Sequence, residues 1–75
     1  MTKSVEEYVR SRVAEQHEIS ADDITDETIV LNQADLCCGA LIEFKIDMNV
    51  LMGVYEWTVK DSISIIQQNV DKQHG

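Results

Sequence analysis

The chain has 75 residues with three glycines, no proline and 44% hydrophobic residues, and it carries a net charge of −8 at pH 7. This length supports one domain with a thin core, and the composition favours a folded helical protein over a disordered one. The negative charge repels phosphate backbones and anionic lipids, so we expect neither nucleic acid nor a membrane as a partner. Partners with basic patches are favoured, although the charge is explained equally well by solubility alone.

The sequence indicates a cytoplasmic protein with unpaired cysteines. No apolar run approaches the roughly 20 residues of a membrane span, and the charged N-terminus lacks the apolar segment of a signal peptide. Cys37 and Cys38 are adjacent, and neighbouring cysteines rarely close a disulfide without strain. Together with His17 and His74 they show no metal-ligand spacing. We therefore expect buried or half-buried thiols and no metal site.

The first predicted helix begins after Ser4 and continues to about Gln16. Ser4-Val5-Glu6-Glu7 has the form of a capping box, in which the serine and glutamate side chains satisfy backbone N–H groups at a helix start. The apolar residues that follow share one face: Val5, Tyr8, Val9 and Val13. This pattern predicts an amphipathic helix.

A long loop is predicted from His17 to Gln33, where the helical periodicity lapses. Serine, threonine and aspartate residues that bond to their own backbone are frequent there. The apolar residues that interrupt them are Ile19, Ile24, Ile29, Val30 and Leu31. We expect these residues to hold the loop against the bundle, with room for a short turn of helix. A loop of this length in so small a domain is typical of a functional segment or of a particular family.

The most apolar stretch, from Asp35 to Val54, predicts a central helix. Its main apolar face consists of Cys37, Leu41, Phe44, Met48, Leu51 and Met52. Ile42 and Ile46 form a second apolar row that widens the buried sector. The residues expected to face water are Glu43, Lys45, Asp47 and Asn49. A helix this apolar needs cover on more than one side, so we expect it at the centre of the bundle.

The last predicted helix opens at Thr58, which has the form of an N-cap with Asp61 at the third helical position. Its apolar residues follow at helical spacing: Val59, Ile63, Ile66 and Val70. Residues 73–75 are expected to fray, and Trp57 is expected in the core or at its rim. The predicted fold class is therefore all-α, a small bundle of three main helices with a possible short fourth.

The order of these elements resembles the acyl carrier protein family, including the peptidyl carriers. Residues 15–25, EQHEISADDIT, resemble the exit of the family's first helix and its loop, and Val30 falls where a loop phenylalanine is usual. Ile42-Glu43-Phe44 resembles the aliphatic-Glu-Leu step of the second helix. Met52-Gly53-Val54 resembles the Phe-Gly-Val that ends that helix, and Thr58-Val59 resembles the Thr-Val that begins the last one.

The chain departs from that family at its modified residue and in its second connection. The family's triplet is Asp-Ser-Leu, whose serine carries a 4′-phosphopantetheine arm, and the frame above puts Cys37, Cys38 and Gly39 there. The resemblance thus implies Cys38, at the head of the central helix and exposed to solvent, as the attachment position. The connection from Val54 to Thr58 is several residues shorter than the family's. A second triplet-like sequence, at Asp61-Ser62-Ile63, is interpreted as coincidence because it lies within the last predicted helix.

Two functions follow from the resemblance. The first is a carrier domain that acts with enzymes of fatty-acid, polyketide or nonribosomal-peptide synthesis, with Asp35, Glu43 and Asp47 docking on their basic patches. The alternative is an armless module that occupies a carrier's docking site on such an enzyme. In the first case Cys38 is an attachment point, a thioester-forming thiol or a relic, and the alternative to a reactive thiol is a small apolar residue that fills space. No Ser-His-Asp or Cys-His pairing supports an enzyme, and we expect a monomer.

Overall fold

A computed structural model describes residues 4–47 and 56–74, and these ranges form three helices. Helix α1 spans Val5–His17, α2 spans Gln33–Phe44, α3 spans Val59–His74, and a short 3-10 turn lies at Ala21–Asp23. The predicted all-α class is confirmed. Within the described residues no helix is both long and apolar enough to cross a bilayer.

Helix α1, rather than α2, is the element on which the others pack. It contacts α3, the 3-10 turn and α2. The buried residues of α1 include the predicted face, and Trp57 is buried in the same core with 1% of its surface exposed. The buried apolar residues are Val5, Tyr8, Val9, Val13, Ala14, Ile24, Val30, Leu36, Cys37, Ala40, Phe44, Ile46, Trp57, Val59 and Ile66.

The predicted starts of α1 and α3 are confirmed by their caps. Ser4 Oγ accepts the backbone N–H of Glu7 at 3.1 Å. Thr58 Oγ1 accepts the N–H of Asp61 at 3.1 Å, while Asp61 Oδ2 accepts the N–H of Thr58 at 3.2 Å. These side chains satisfy N–H groups that a helix start leaves without intrahelical partners, which explains why both boundaries are readable from the sequence.

The central helix is shorter than predicted. Helix α2 begins at Gln33 and ends at Phe44, where Lys45 takes the left-handed conformation with φ 52°. A left-handed residue ends a helix because it turns the backbone away from the helical path. Phe44 closes the helix against α1, with its ring edge-on to Tyr8 at a centroid distance of 5.4 Å. The prediction of a helix running on to Val54 is therefore wrong for residues 45–47, and its part from residue 48 lies outside the described residues.

The C-terminal turn of α3 is ordered by contacts with the end of α2, so the fraying predicted for Gln73 and His74 is wrong. Gln73 Oε1 accepts the backbone N–H of Asp47 at 2.8 Å, and Gln73 Nε2 donates to the Asp47 carbonyl at 2.6 Å. His74 Nε2 donates to the carbonyl of Phe44 at 2.9 Å. These bonds satisfy backbone groups at the end of α2, whose last carbonyls have no partner within the helix.

Polar side chains of α1 hold the long loop in place. Arg10 donates through Nη1 to the Ile24 carbonyl at 2.9 Å and through Nη2 to Asp26 Oδ1 at 2.8 Å. His17 Nε2 donates to the Ile29 carbonyl at 2.7 Å. Partly buried backbone carbonyls of the loop thus accept hydrogen bonds from side chains of α1, and these bonds fix the loop.

The apolar residues of the loop divide into two groups. Ile24 and Val30 are buried as predicted, and the Val30 N–H donates to the Trp57 carbonyl at 2.9 Å. Ile19 and Leu31 are 45% and 61% exposed, so the prediction that they hold the loop to the bundle is wrong. The loop is held by hydrogen bonds and by the buried side chains of Ile24 and Val30, while Ile19 and Leu31 lie at the surface.

Candidate docking face on helix α2

The start of α2 is fixed to the end of α1 by one side chain. Asn32 is the N-cap, and its Oδ1 accepts the N–H of Asp35 at 3.0 Å. Gln16 Oε1 accepts the N–H groups of Leu31 and Asn32, both at 3.0 Å, while Gln16 Nε2 donates to the Asn32 carbonyl at 3.0 Å. The residues around the helix start are therefore held rigidly, which suits a surface that must keep one shape.

One row of exposed residues runs along the outer side of α2. Asp35, Cys38 and Ile42 follow one another at spacings of three and four, so they share a face. Ile42 is 81% exposed, and Leu31, just before the helix, is 61% exposed. We call Leu31, Asp35, Cys38 and Ile42 the outer ridge.

The exposure of Ile42 contradicts its predicted place in a second buried row. The helix turns Leu36, Ala40 and Phe44 toward the core, and Ile42 lies on the other side. A 12-residue helix packed on one side needs a single buried face. An apolar side chain as exposed as Ile42, with Glu43 next to it, is a candidate contact point for a partner.

The three carboxylates predicted to dock are all exposed, but they do not lie in one row. Asp35 belongs to the outer ridge. Glu43 lines a cleft between α2 and α1. Asp47 follows the helix end, where its backbone is bonded to Gln73. The acidic face is therefore broader than a single helix surface.

The two cysteines have different environments, and Cys38 does not lie where the resemblance implied. Cys38 is exposed, as predicted, but it lies in the second turn because α2 begins at Gln33. The free N–H groups of a helix start belong to the first turn, so the prediction of Cys38 at the helix head is wrong. Cys37 is buried, and burial, followed by the neighbouring Cys38, raises the pKa of its thiol. Cys37 is therefore a core residue.

The residues present do not fit a 4′-phosphopantetheine arm. Helix α2 contains no serine or threonine whose hydroxyl would accept the phosphate ester. The frame that gave Cys38 the acceptor position took Met52-Gly53-Val54 as the helix end, whereas α2 ends at Phe44. The other candidate, Ser62, is fully buried, and its Oγ donates to the Thr58 carbonyl at 3.0 Å.

Neither histidine lies in a metal-binding arrangement. His17 donates to the Ile29 carbonyl, and His74 donates to the carbonyls of Phe44 and Lys45. Among residues 4–47 and 56–74, no three His, Cys, Asp or Glu side chains are grouped so that they could hold a metal ion.

Helices α1 and α2 meet at a close contact that the sequence does not reveal. The Tyr8 hydroxyl donates to the Leu36 carbonyl at 2.6 Å. Arg12 lies 5.7 Å from the centroid of the Tyr8 ring, and both side chains border Gly39. Burial raises the pKa of Tyr8 to about 12, although the nearby Arg12 guanidinium acts in the opposite direction. The phenol is therefore held protonated as a hydrogen-bond donor.

No family model, curated protein or solved structure matches the chain. The site is therefore interpreted from its own geometry. The spacing places Ile42 on the face of Cys38 and off the line of Cys37 and Phe44, but only the packing of α2 on α1 shows that this face is exposed. The cleft beside Gly39 had no such signal, because it depends on how two helices meet.

Proposed function

We propose that this chain is a carrier-like docking module, which binds through the outer ridge to enzymes that recognise carrier proteins in fatty-acid, polyketide or nonribosomal-peptide synthesis, the phosphopantetheinyl transferase among them, and which carries no arm. The observation that carries the proposal is Ile42, a large apolar side chain left 81% exposed next to Glu43, on the side of α2 opposite the buried Leu36, Ala40 and Phe44. The role proposed is binding rather than catalysis.

Ile42 is the natural anchor of such a contact. Fully burying an isoleucine side chain stabilises a complex by about 1.5–3 kcal/mol, and each 1.4 kcal/mol is about a tenfold change in Kd. Leu31 and Cys38 extend the apolar surface on either side of Asp35. The complementary surface is an apolar pocket, since central apolar anchors carry most of the energy of an interface.

The charge of the chain favours a basic rim around that pocket. Residues 1–36 hold nine carboxylates against three basic side chains, so α1, the loop and the start of α2 lie in a negative field. Such a field raises the encounter rate with a basic protein more than it raises affinity, and salt weakens it. The two cysteines are free thiols, which favours a reducing compartment, and the proposal places the protein in the cytoplasm.

A loaded carrier is the second candidate, and the exposure of Cys38 on the outer ridge is the observation that favours it. It is the weaker candidate because a thiol stands where the family has a hydroxyl, and because the thiol lies in the second turn of α2. Intact-protein mass spectrometry after incubation with coenzyme A and a promiscuous phosphopantetheinyl transferase separates the two. We expect no mass gain, whereas a gain mapped to Cys38 would favour the loaded carrier.

The docking proposal is tested by competition. A phosphopantetheinyl transferase loads a serine-bearing carrier protein, and this chain is added as a competitor for the carrier's docking site. We expect inhibition that weakens about tenfold in Ile42→Gln and falls with added salt. Ile19→Gln is the matched control, because Ile19 is another exposed isoleucine but lies outside α2. Absence of inhibition, or equal loss in both variants, would overturn the proposal.

A further inference from the structure

An open cleft lined mainly by polar and charged side chains lies between α1 and α2. Its volume is about 210 Å³, and it is lined by Tyr8, Ser11, Arg12, Glu15 and Glu43. The four α1 residues follow at helical spacings of three, one and three, so they form one wall, and Glu43 stands on the other. Water occupies about 30 Å³ per molecule in the liquid, so the cleft has room for a group of several heavy atoms.

Gly39 lets the Tyr8 and Arg12 side chains, which line the cleft, approach α2 closely. A Cβ at this position would overlap Tyr8 Oη and would lie 3.2 Å from Arg12 Nη2. The Tyr8 hydroxyl is fixed by its bond to the Leu36 carbonyl. The wall on the α1 side is therefore held in place before any ligand arrives, which lowers the cost of binding.

The charges of the cleft favour a cation. Arg12 is already balanced, since its Nη1 lies 3.8 Å from Glu15 Oε2 and its guanidinium lies over the Tyr8 ring. Among the described residues no basic side chain lies within ion-pairing distance of Glu43. One guanidinium and two carboxylates leave the cleft with a net negative charge, and the acidic chain around it adds to the field.

We propose that the cleft receives an arginine side chain of the docking partner. A guanidinium is planar and has five N–H donors, and the cleft offers acceptors on separate walls: the Glu43 carboxylate on α2 and the Ser11 hydroxyl on α1. Lysine has a compact ammonium that is more strongly hydrated and lacks the planar fork of donors. Glu43 directly follows Ile42, so the cleft borders the outer ridge. That this arginine belongs to an enzyme which recognises carrier proteins rests on the proposed function.

The test uses small probes and therefore needs no partner. The ¹⁵N-labelled full chain is titrated with N-acetyl-arginine amide, with N-acetyl-lysine amide and with the neutral N-acetyl-citrulline amide, whose shape matches that of the arginine compound. We expect the arginine probe to shift the amide signals of Ser11, Arg12 and Glu43 in a saturable way, with a Kd on the order of millimolar. We expect the lysine probe to bind several-fold more weakly and the citrulline probe to give no saturable shift.

A pair of matched variants isolates the carboxylate. Glu43→Gln should weaken the arginine probe by about three- to tenfold. Glu27→Gln removes the same charge from an exposed loop residue outside the cleft and should leave binding unchanged within about twofold. Glu43 is exposed, so its variant is expected to fold, and the dispersion of the same spectra verifies this.

Three results would overturn the inference: no saturable shift with the arginine probe, equal binding of the citrulline or lysine probe, or equal effects of Glu43→Gln and Glu27→Gln. The outcome is separable from that of the proposed function. If the probe binds but the transferase competition fails, the cleft is a guanidinium site and the docking proposal falls. If competition succeeds and the probe does not bind, the docking proposal stands without the cleft.

Discussion

The substitution Gly39→Ala tests the close contact between α1 and α2. The added Cβ would overlap Tyr8 Oη, and it would lie 3.2 Å from both Tyr8 Cζ and Arg12 Nη2. Tyr8 is buried and its hydroxyl donates to the Leu36 carbonyl at 2.6 Å, so it cannot move aside without losing that bond. Helix α1 must shift, or the Tyr8 side chain must leave its position.

The expected cost is the balance of three terms. Alanine is better than glycine inside a helix by about 1 kcal/mol. Overpacking a tight contact costs about 1–3 kcal/mol, and losing the Tyr8 hydrogen bond costs about 1 kcal/mol more. We therefore expect Gly39→Ala to lower the free energy of unfolding by about 1–3 kcal/mol. In a domain of this size the melting temperature should fall by at least about 4 °C.

Urea unfolding followed by circular dichroism at 222 nm measures this change, and a double-mutant cycle assigns its cause. Tyr8→Phe removes the hydroxyl that the new Cβ would meet. Adding Tyr8→Phe to the Gly39→Ala variant should therefore cost at least about 1 kcal/mol less than Tyr8→Phe does alone. If Gly39→Ala instead stabilises the protein by about 1 kcal/mol, as helix propensity alone predicts, the close contact is absent and the reasoning fails.

Three further predictions concern ionisation, thiol reactivity and the end of α3. Burial holds the pKa of Tyr8 at about 12, against about 10 in an unfolded chain, so the unfolded state loses the phenolic proton first. Stability should fall between pH 10 and 12 by about 1–2 kcal/mol more than in Tyr8→Phe, as measured by urea unfolding. A thiol-exchange reagent should react quickly with Cys38 and reach buried Cys37 only on unfolding; two equally fast thiols would contradict the fold. Gln73→Ala should cost about 1 kcal/mol in thermal unfolding, whereas Lys72→Ala should change stability by under about 0.5 kcal/mol.

The helix boundaries that the sequence predicts best are the starts of α1 and α3, because the signals for them are local. Ser4 with Glu7 and Thr58 with Asp61 form caps within four residues of chain, and both helix starts were correctly predicted. The buried face of α1 was also readable, because its apolar residues keep the helical spacing over three turns. Local chemistry decides these features, so no knowledge of the rest of the fold is needed.

The features that the sequence does not reveal depend on contacts across the fold. Helix α2 ends at Phe44, and the next residue, Lys45, takes a left-handed conformation that glycine or asparagine usually takes, so the sequence carries no stop signal there. The end is stabilised instead from α3, where Gln73 bonds to the backbone of Asp47 and His74 to that of Phe44. Because the apolar residues continue past Lys45 at helical spacing, the local pattern predicts a longer helix.

Some residues of the candidate site can likewise be predicted from the sequence, and others depend on how the helices pack. The helical pattern predicts that Glu43 and Asp47 face water, and the resemblance adds Asp35 as a docking residue; all three are exposed. Ile42 was assigned to the core because apolar residues usually lie inside, and only the orientation of α2 on α1 shows that it faces outward. The close approach of Tyr8 to Gly39 likewise depends on how α1 and α2 pack together.

The most direct test of the docking proposal is the footprint of a phosphopantetheinyl transferase on the labelled chain. Unlabelled transferase is titrated into the ¹⁵N-labelled protein, and the loss of each backbone amide signal is measured. We predict losses centred on Asp35, Cys38 and Ile42, which Ile42→Gln removes and Ile19→Gln retains. Signal losses centred on α3 or on Ala21–Asp23, or a spectrum that the transferase leaves unchanged, would contradict the proposal.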